Sequence, residues 1–164
     1  MKFKIKTVLT TIIFICIPLL VGFVTSRYGT RLIIDLAINS QYGPVKLSNI
    51  SARQGISLKY LEKLIKKLKE AGFVKSIRGP KGGYILAKPM KNISVGDIVK
   101  TLEGSVSITD CSDKENACGV CNRAGECITQ WIWIETSEAM FRKLNSFKLD
   151  RLVKDSKKFI KANP

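Results

Sequence analysis

The chain has 164 residues, a formal net charge of +15 and no histidine. This length predicts one domain, or one domain with an extension, and it is enough to bury a hydrophobic core. The lack of a histidine base, a phosphate-binding loop or a recognisable carboxylate pair argues against an enzyme. Without histidine, a soft-metal site would have to be built mainly from thiolates.

The N-terminus is apolar. Residues 7–26 carry no charge over twenty positions, and three lysines precede them. A run of this length predicts a transmembrane or signal-anchor helix, although Pro18 would kink it and no A-x-A cleavage site follows. Two interpretations stay open for residues 1–25: a membrane anchor, or an addition that results from an upstream start codon wrongly chosen for the gene.

Residues 26–106 have the pattern of a winged helix-turn-helix domain. A first amphipathic helix is predicted over 26–40 and a second over 47–53. Ser57 can N-cap a third helix, which ends before Gly72. Two short helices joined by a tight turn, the second of them basic, are typical of a helix-turn-helix. The apolar stripe of the third helix consists of Leu58, Leu61, Leu64, Ile65 and Leu68.

Positive charge is concentrated in this region. Residues 40–91 carry twelve lysine and arginine residues against two glutamates, which favours a polyanion partner over an ordinary solvated face. A hairpin with the turn GPKGG follows the third helix, and Arg78 lies at its tip. An ordinary β-turn is the alternative, but a glycine-lined basic tip directly after a basic helix favours a DNA-binding wing. The lysines predicted to contact DNA are Lys59, Lys63, Lys66, Lys67 and Lys81.

A cysteine loop and two helices complete the chain. An S-x-x-D motif at Ser94 predicts the start of a helix. The loop over residues 107–128 then holds CSDKENACGVCNRAGEC, with the spacing C-x6-C-x2-C-x5-C. Residues 129–164 predict a long helix and a last amphipathic helix. The long helix would bury Trp131 and Trp133 in the core or in a dimer seam, and the seam is preferred because helix-turn-helix proteins usually pair.

A family resemblance rests on three stretches: SRYGTRLIIDLA, GPVKLSNISARQGISLKYLEKLIKKLKEAGFV and RGPKGGYIL. They closely resemble the IscR/NsrR-like family of bacterial winged-helix regulators, the Rrf-type repressors, over residues 26–147. The resemblance implies a mainly α fold with a small β-hairpin, and a homodimer that binds double-stranded operator DNA. In many members an iron–sulfur cluster in the cysteine loop tunes that binding. The resemblance also implies DNA contacts by Ser57, Tyr60, Glu62, Lys63 and, in the minor groove, Arg78.

The cysteine loop departs from the family pattern at Gln130. Family members use three cysteines, and a histidine in the motif C-[LI]-T-H can complete the site, where this chain reads C-I-T-Q. Glutamine is a poor iron ligand and the loop has an extra cysteine, so the simplest site has four thiolates. They would hold an iron–sulfur cluster, for which [2Fe–2S] is preferred and [4Fe–4S] is the alternative. The predicted ligands are Cys111, Cys118, Cys121 and Cys127, of which three could suffice.

Structural zinc and disulfides are the alternative uses of these cysteines. The spacing is not that of two C-x-x-C knuckles, which weakens the zinc interpretation. Disulfides persist outside the cytosol, where a DNA-binding domain has no target. An iron–sulfur cluster is therefore the favoured interpretation.

These predictions describe a cytoplasmic DNA-binding repressor that senses redox, iron–sulfur or nitric oxide status. The alternative is a membrane-anchored iron–sulfur or zinc protein, in contact with the membrane through residues 7–26, that uses its winged helix as an interaction module. The N-terminal lysines would hold their own end in the cytoplasm and place the basic domain outside, which conflicts with DNA binding. The recognition helix and wing favour the regulator, with residues 1–25 dispensable.

Overall fold

The computed structural model describes residues 24–113, 121, 123 and 125–162. These ranges are mainly helical with one antiparallel hairpin, which confirms the predicted fold class. The helices are α1 (24–39), α2 (Leu47–Gln54), α3 (Leu58–Glu70), α4 (Val95–Glu103), α5 (Ile128–Ser146) and α6 (Leu149–Ala162), and the strands are β1 (Val74–Ile77) and β2 (Gly83–Leu86).

Two predicted features, the apolar N-terminal segment and one cysteine ligand, lie partly or wholly outside these ranges. The apolar segment over 7–26 lies outside the described ranges as far as residue 23, and so does the predicted ligand Cys118. No helix within the described ranges is long and apolar enough to cross a bilayer.

The helix boundaries follow from local side-chain chemistry. Ser57 Oγ accepts a hydrogen bond from the Tyr60 amide at 3.3 Å and so caps α3, as predicted. Gly72 follows the end of α3 with φ +71, a left-handed conformation that favours glycine. Ser94 and Asp97 form a complete capping box at the start of α4. The sequence therefore sets both ends of α3 and the start of α4.

One hydrophobic core joins the winged helix to the C-terminal helix. Leu149 and Val153 of α6 belong to it, so the predicted amphipathic helix at the end of the chain packs its apolar side against the winged helix. Backbone hydrogen bonds fix the return: the Val95 amide donates to the Phe147 carbonyl at 3.0 Å, and the Leu149 amide donates to the Ile93 carbonyl at 2.9 Å. The largest fully buried side chains of this core are, with Leu149, those of Leu32, Ile33, Leu36, Ile50, Leu61, Leu64, Leu68, Val74, Ile93, Ile98 and Leu102.

A buried carboxylate fastens α1 to the end of α2. Asp35 is 4% exposed, and Arg53 donates to both of its carboxylate oxygens, at 2.6 and 3.0 Å. The hydrogen bond to Asp35 is the main cause of a raised pKa at Arg53. Gln54 Nε2 donates to the same carboxylate at 2.7 Å. A buried charge with this many donors is satisfied, so it can orient α2 and the turn that leads into α3.

Candidate nucleic-acid interface and cysteine loop

The basic face of α3 points to solvent. The side of α3 that faces the core consists of Leu61, Leu64, Ile65 and Leu68. The opposite side of the helix presents Lys59, Lys63 and Lys66 to solvent. Leu58, predicted to belong to the apolar stripe, is instead 42% exposed. At 3.6 residues per turn it lies roughly 70° from the centre of the buried side, in the first turn of the helix. Ser57 and Glu62 are exposed beside the lysines.

Two residues predicted to contact DNA have partners inside the protein. Tyr60 is half-buried, and its ring meets the ring of Tyr28 edge to face at 5.9 Å, while its hydroxyl lies 3.3 Å from Thr25 Oγ1. Lys67 Nζ donates to the Leu102 carbonyl at 2.8 Å. Tyr60 and Lys67 are seven residues apart and therefore share one side of α3. That side faces α1 and α4, so these two residues differ from the free lysines.

The hairpin turn is built for close backbone approach. Gly79 has φ +114, and a Cβ at Gly82 would collide with the Ile77 carbonyl oxygen. A Cβ at Gly83 would lie 2.6 Å from the Val45 carbonyl, because Val45 and Tyr84 form an isolated antiparallel bridge with hydrogen bonds in both directions. The hairpin is thereby fixed to the chain just before α2. Its tip leaves Arg78 and Lys81 exposed.

The start of the cysteine loop is fixed to α5. Residues Asp110–Ser112 form a short 3-10 turn, which Thr109 and Ser112 close with a capping box. Ser137 is the buried residue of α5, and its hydroxyl accepts a hydrogen bond from the Ile108 amide at 3.0 Å and lies 3.3 Å from Ser112 Oγ. Cys111 is half-buried within this turn. The loop therefore leaves α4 along a defined path.

The end of the loop places a thiol at the start of a helix. Cys127 is the N-cap residue of α5, and its sulfur lies 2.8 Å from Thr129 Oγ1. That hydrogen bond is the main cause of a lowered pKa at Cys127, with further contributions from the Gln130 and Thr129 amides and from the charge of Arg123. A thiol with a lowered pKa forms thiolate more readily, and thiolate is the form that binds metals.

One glutamine side chain connects both ends of the loop. Gln130 Nε2 donates to the Cys111 carbonyl at 2.7 Å, and Gln130 Oε1 accepts from the Gly125 amide at 2.7 Å. The sequence pointed to Gln130 because it replaces a histidine. It did not show that both polar atoms of the amide are bonded to backbone.

The predicted ligands are partly placed. Cys111 and Cys127 lie at the two ends of the loop and Cys121 is exposed between them, all with free thiols. Within residues 24–113, 121, 123 and 125–162, no three histidine, cysteine or acidic side chains form a group that could hold a metal. The donor set itself fits a soft metal, because it offers accessible thiols, one with a lowered pKa.

Helix α5 is long and poorly covered. Ser137 is its single buried residue, although the helix has 19 residues. Ile134 and Phe141 are half-buried and line a small cavity with Gly104–Ser107, whereas Trp131 faces elsewhere and is 59% exposed. The apolar side chains of α5 are thus divided between a contact within the chain and an open surface. The exposed apolar side chains of α5 are Ile128, Trp131, Ile132 and Trp133. The first three share one side of the helix, which is the open surface, and Trp133 lies on a different side.

Comparison with known proteins identifies the family. A family model described as "Rrf2: Iron-dependent Transcriptional regulator" matches residues 24–155. The chain belongs to the Rrf2 family. Protein rrf2 of Nitratidesulfovibrio vulgaris is 47% identical over 131 residues, which cover 80% of this chain and 85% of the relative.

Two solved Rrf2-type structures share the fold. IscR of T. potens is 37% identical with a TM-score of 0.65, covering 80% of this chain and 85% of that one. CymR, named the global cysteine regulator of B. subtilis, is 34% identical with a TM-score of 0.64, covering 79% and 93%. The chain is therefore an Rrf2-family transcriptional regulator of the IscR and CymR type. The predictions of the family and of a protein that is not an enzyme are confirmed.

Proposed function

We propose that this Rrf2-family regulator is a cytoplasmic homodimer that represses its target genes by binding operator DNA. In this proposal an iron–sulfur cluster in the cysteine loop reports redox, iron–sulfur or nitric oxide status to the DNA-binding surface. The observation that carries the proposal is the exposed basic face of α3, which lies beside a glycine-lined wing with Arg78 at its tip.

The basic face supplies the DNA contacts. Lys59, Lys63 and Lys66 are exposed on one side of α3 and have room to reach phosphates, which dominate the affinity of such proteins. Ser57 and Glu62 lie at the same surface and are candidates for base contacts. Arg78 and Lys81 extend the positive surface along the wing, where Arg78 suits a narrow minor groove.

The open side of α5 supplies the dimer contact. Ile128, Trp131 and Ile132 are 71%, 59% and 46% exposed, which leaves a large apolar strip on a helix that packs poorly within its own chain. Contiguous apolar surface of this kind marks an interaction site. A second copy of the chain is the partner that a two-fold operator requires.

The cysteine loop supplies the cluster ligands. The loop contains four cysteines, and the chain has no histidine. An all-thiolate ligand set would therefore consist of Cys111, Cys118, Cys121 and Cys127. The bound cluster would supply a redox-active, reversible group. The lowered pKa of Cys127 favours the thiolate that such a ligand needs.

A second candidate is direct sensing by thiols without a cluster. It is favoured by the likeness to CymR, one of whose solved structures is of the oxidized form from Staphylococcus aureus, at 32% identity and a TM-score of 0.62. The number of cysteines in this loop favours the cluster over this candidate. Iron and sulfide content separates the two.

The test is metal analysis of protein purified without oxygen. The expected sample is coloured and contains iron and acid-labile sulfide, and its visible and Mössbauer spectra report the nuclearity of the cluster. Cys111→Ser and Cys127→Ser should each bleach the protein, because these are the cysteines at the two ends of the loop and neither has a nearby substitute. Comparing Cys118→Ser with Cys121→Ser identifies a spare ligand if three cysteines suffice. A colourless protein with one zinc per chain, even after cluster reconstitution, would exclude the cluster.

A further inference from the structure

Gln130 forms a bridge across the cysteine loop. Its amide is half-buried in the first turn of α5, and each of its two polar atoms is bonded to a different end of the cysteine loop. The nitrogen donates to the Cys111 carbonyl at 2.7 Å, and the oxygen accepts from the Gly125 amide at 2.7 Å. A primary amide can donate and accept at once, which neither a carboxylate nor a thioether can do.

One of the two attachment points is held in place by other contacts. Cys111 lies in the turn that Ser112 and Ser137 fasten to α5. Gly125 is exposed, has φ +96 and lies two residues before Cys127, the N-cap residue of the same helix. The amide therefore ties the Gly125 segment to a turn that α5 already holds.

We propose that Gln130 is a positioning residue, which closes the cysteine loop before a cluster binds and is not itself a ligand. The inference rests on the proposed cluster site, but its central test does not require a cluster. Because both amide atoms are committed to backbone groups, the side chain brings Cys111 towards Cys127 and leaves coordination to sulfur. Because the ends of the loop are already joined, cluster binding would involve a smaller loss of conformational entropy.

The first test uses amide hydrogen exchange on full-length, metal-free protein. Gln130→Met keeps the length of the side chain but removes both hydrogen bonds, so the segments around Cys111 and Gly125 should each exchange about three- to tenfold faster, as expected for loss of one net hydrogen bond at each. Gln130→Glu can still accept from Gly125 but cannot donate to Cys111. It should therefore leave the Gly125 segment protected while the Cys111 segment opens.

That split between the two ends distinguishes bridging from general destabilisation, which would open both segments in both variants. Glu135→Met is the matched control. It changes an exposed side chain of α5 that takes no part in the bridge made by Gln130. Unchanged exchange around Cys111 and Gly125 in Gln130→Met would overturn the proposal, and so would equal opening of both segments in Gln130→Glu.

The second test uses the cluster-loaded protein. Gln130→Met should keep the visible and electron paramagnetic resonance spectra of the parent while losing its iron to a chelator faster. A changed spectrum would show that Gln130 is a ligand and would overturn the proposal. If no variant and no parent protein holds iron, the proposed function fails while the exchange experiment still decides the role of Gln130.

Discussion

The ammonium of Lys67 donates a 2.8 Å hydrogen bond to the carbonyl oxygen of Leu102, and this bond links the basic helix α3 to the last turn of α4. The same turn is held from α1, because Gly29 leaves room for the Leu102 side chain and Ser26 donates to the Glu103 carboxylate. The cysteine loop begins a few residues further on. Lys66 and Lys67 are both exposed, but only Lys67 has this bond to α4.

Replacing these two neighbouring lysines should have different consequences for DNA binding. Lys66→Met should weaken binding to any duplex and lower the salt slope by about 1, the value for one lost phosphate contact. Lys67→Met should leave that slope nearly unchanged and instead lower the free energy of unfolding by about 0.5–1.5 kcal/mol, the net value of one hydrogen bond. Fluorescence anisotropy over a range of salt concentrations and urea denaturation measure the two effects. Equal loss of slope in both variants would place Lys67 on the DNA.

The wing makes a separate prediction. Arg78→Ala should weaken operator binding by about 1.5–3 kcal/mol, the range for hydrogen bonds that involve a charged group, and most strongly where the minor groove is narrow. Lys75→Ala is the control, because it removes one positive charge from an exposed position on strand β1 away from the tip. Operator binding by Arg78→Ala that matches Lys75→Ala would show that the tip does not enter the groove.

The exposed strip on α5 predicts a dimer that one substitution can weaken. Ile132→Ala removes apolar surface that a symmetric partner would bury twice, so dimerisation should weaken by roughly 2–4 kcal/mol. Ile77→Ala is a matched control, since Ile77 is 40% exposed on the hairpin and Ile132 is 46% exposed on α5. Analytical ultracentrifugation measures both. An unchanged dimer constant in Ile132→Ala, or a monomeric parent protein, would contradict this assignment.

The buried carboxylate of Asp35 predicts a stability effect away from both sites. Arg53→Ala removes two hydrogen bonds and the positive charge that compensates the Asp35 carboxylate. The free energy of unfolding should therefore fall by about 1–3 kcal/mol. The value is below that for a fully buried pair because the Arg53 side chain is 39% exposed. Arg53→Lys should recover part of the loss, as lysine keeps the charge but cannot bond both oxygens. Urea denaturation gives the comparison, and a parent-like midpoint for Arg53→Ala would refute the role of this pair.

The sequence predicted the local features well and the long-range ones poorly. The cap at Ser57, the turn at Gly72 and the capping box at Ser94 follow from neighbouring residues, so pattern alone identified them. The buried stripe of α3 also followed from helical spacing, apart from Leu58 at its edge.

Contacts between distant segments were missed. Nothing near Lys67 in the sequence indicates that its charge reaches the Leu102 carbonyl 35 residues later. The return of α6 into the core depends on backbone pairing between Ile93 and Leu149, which no periodicity reveals. Gln130 was conspicuous because it interrupts a motif, but its two partners are backbone groups, and backbone partners leave no signature in side-chain identity.

In the proposed function, a cluster in the cysteine loop controls DNA binding by α3 and the wing. The most direct measurement is the affinity of one anaerobic preparation for a duplex from the gene's own upstream region, before and after the cluster is removed, with iron and sulfide determined on the same sample. We expect a coloured protein whose affinity differs between the two states by about 5- to 150-fold, the usual range of coupling between two sites. Equal affinity in both states, or a protein that holds zinc and no iron, would show that no iron–sulfur cluster regulates DNA binding by this protein.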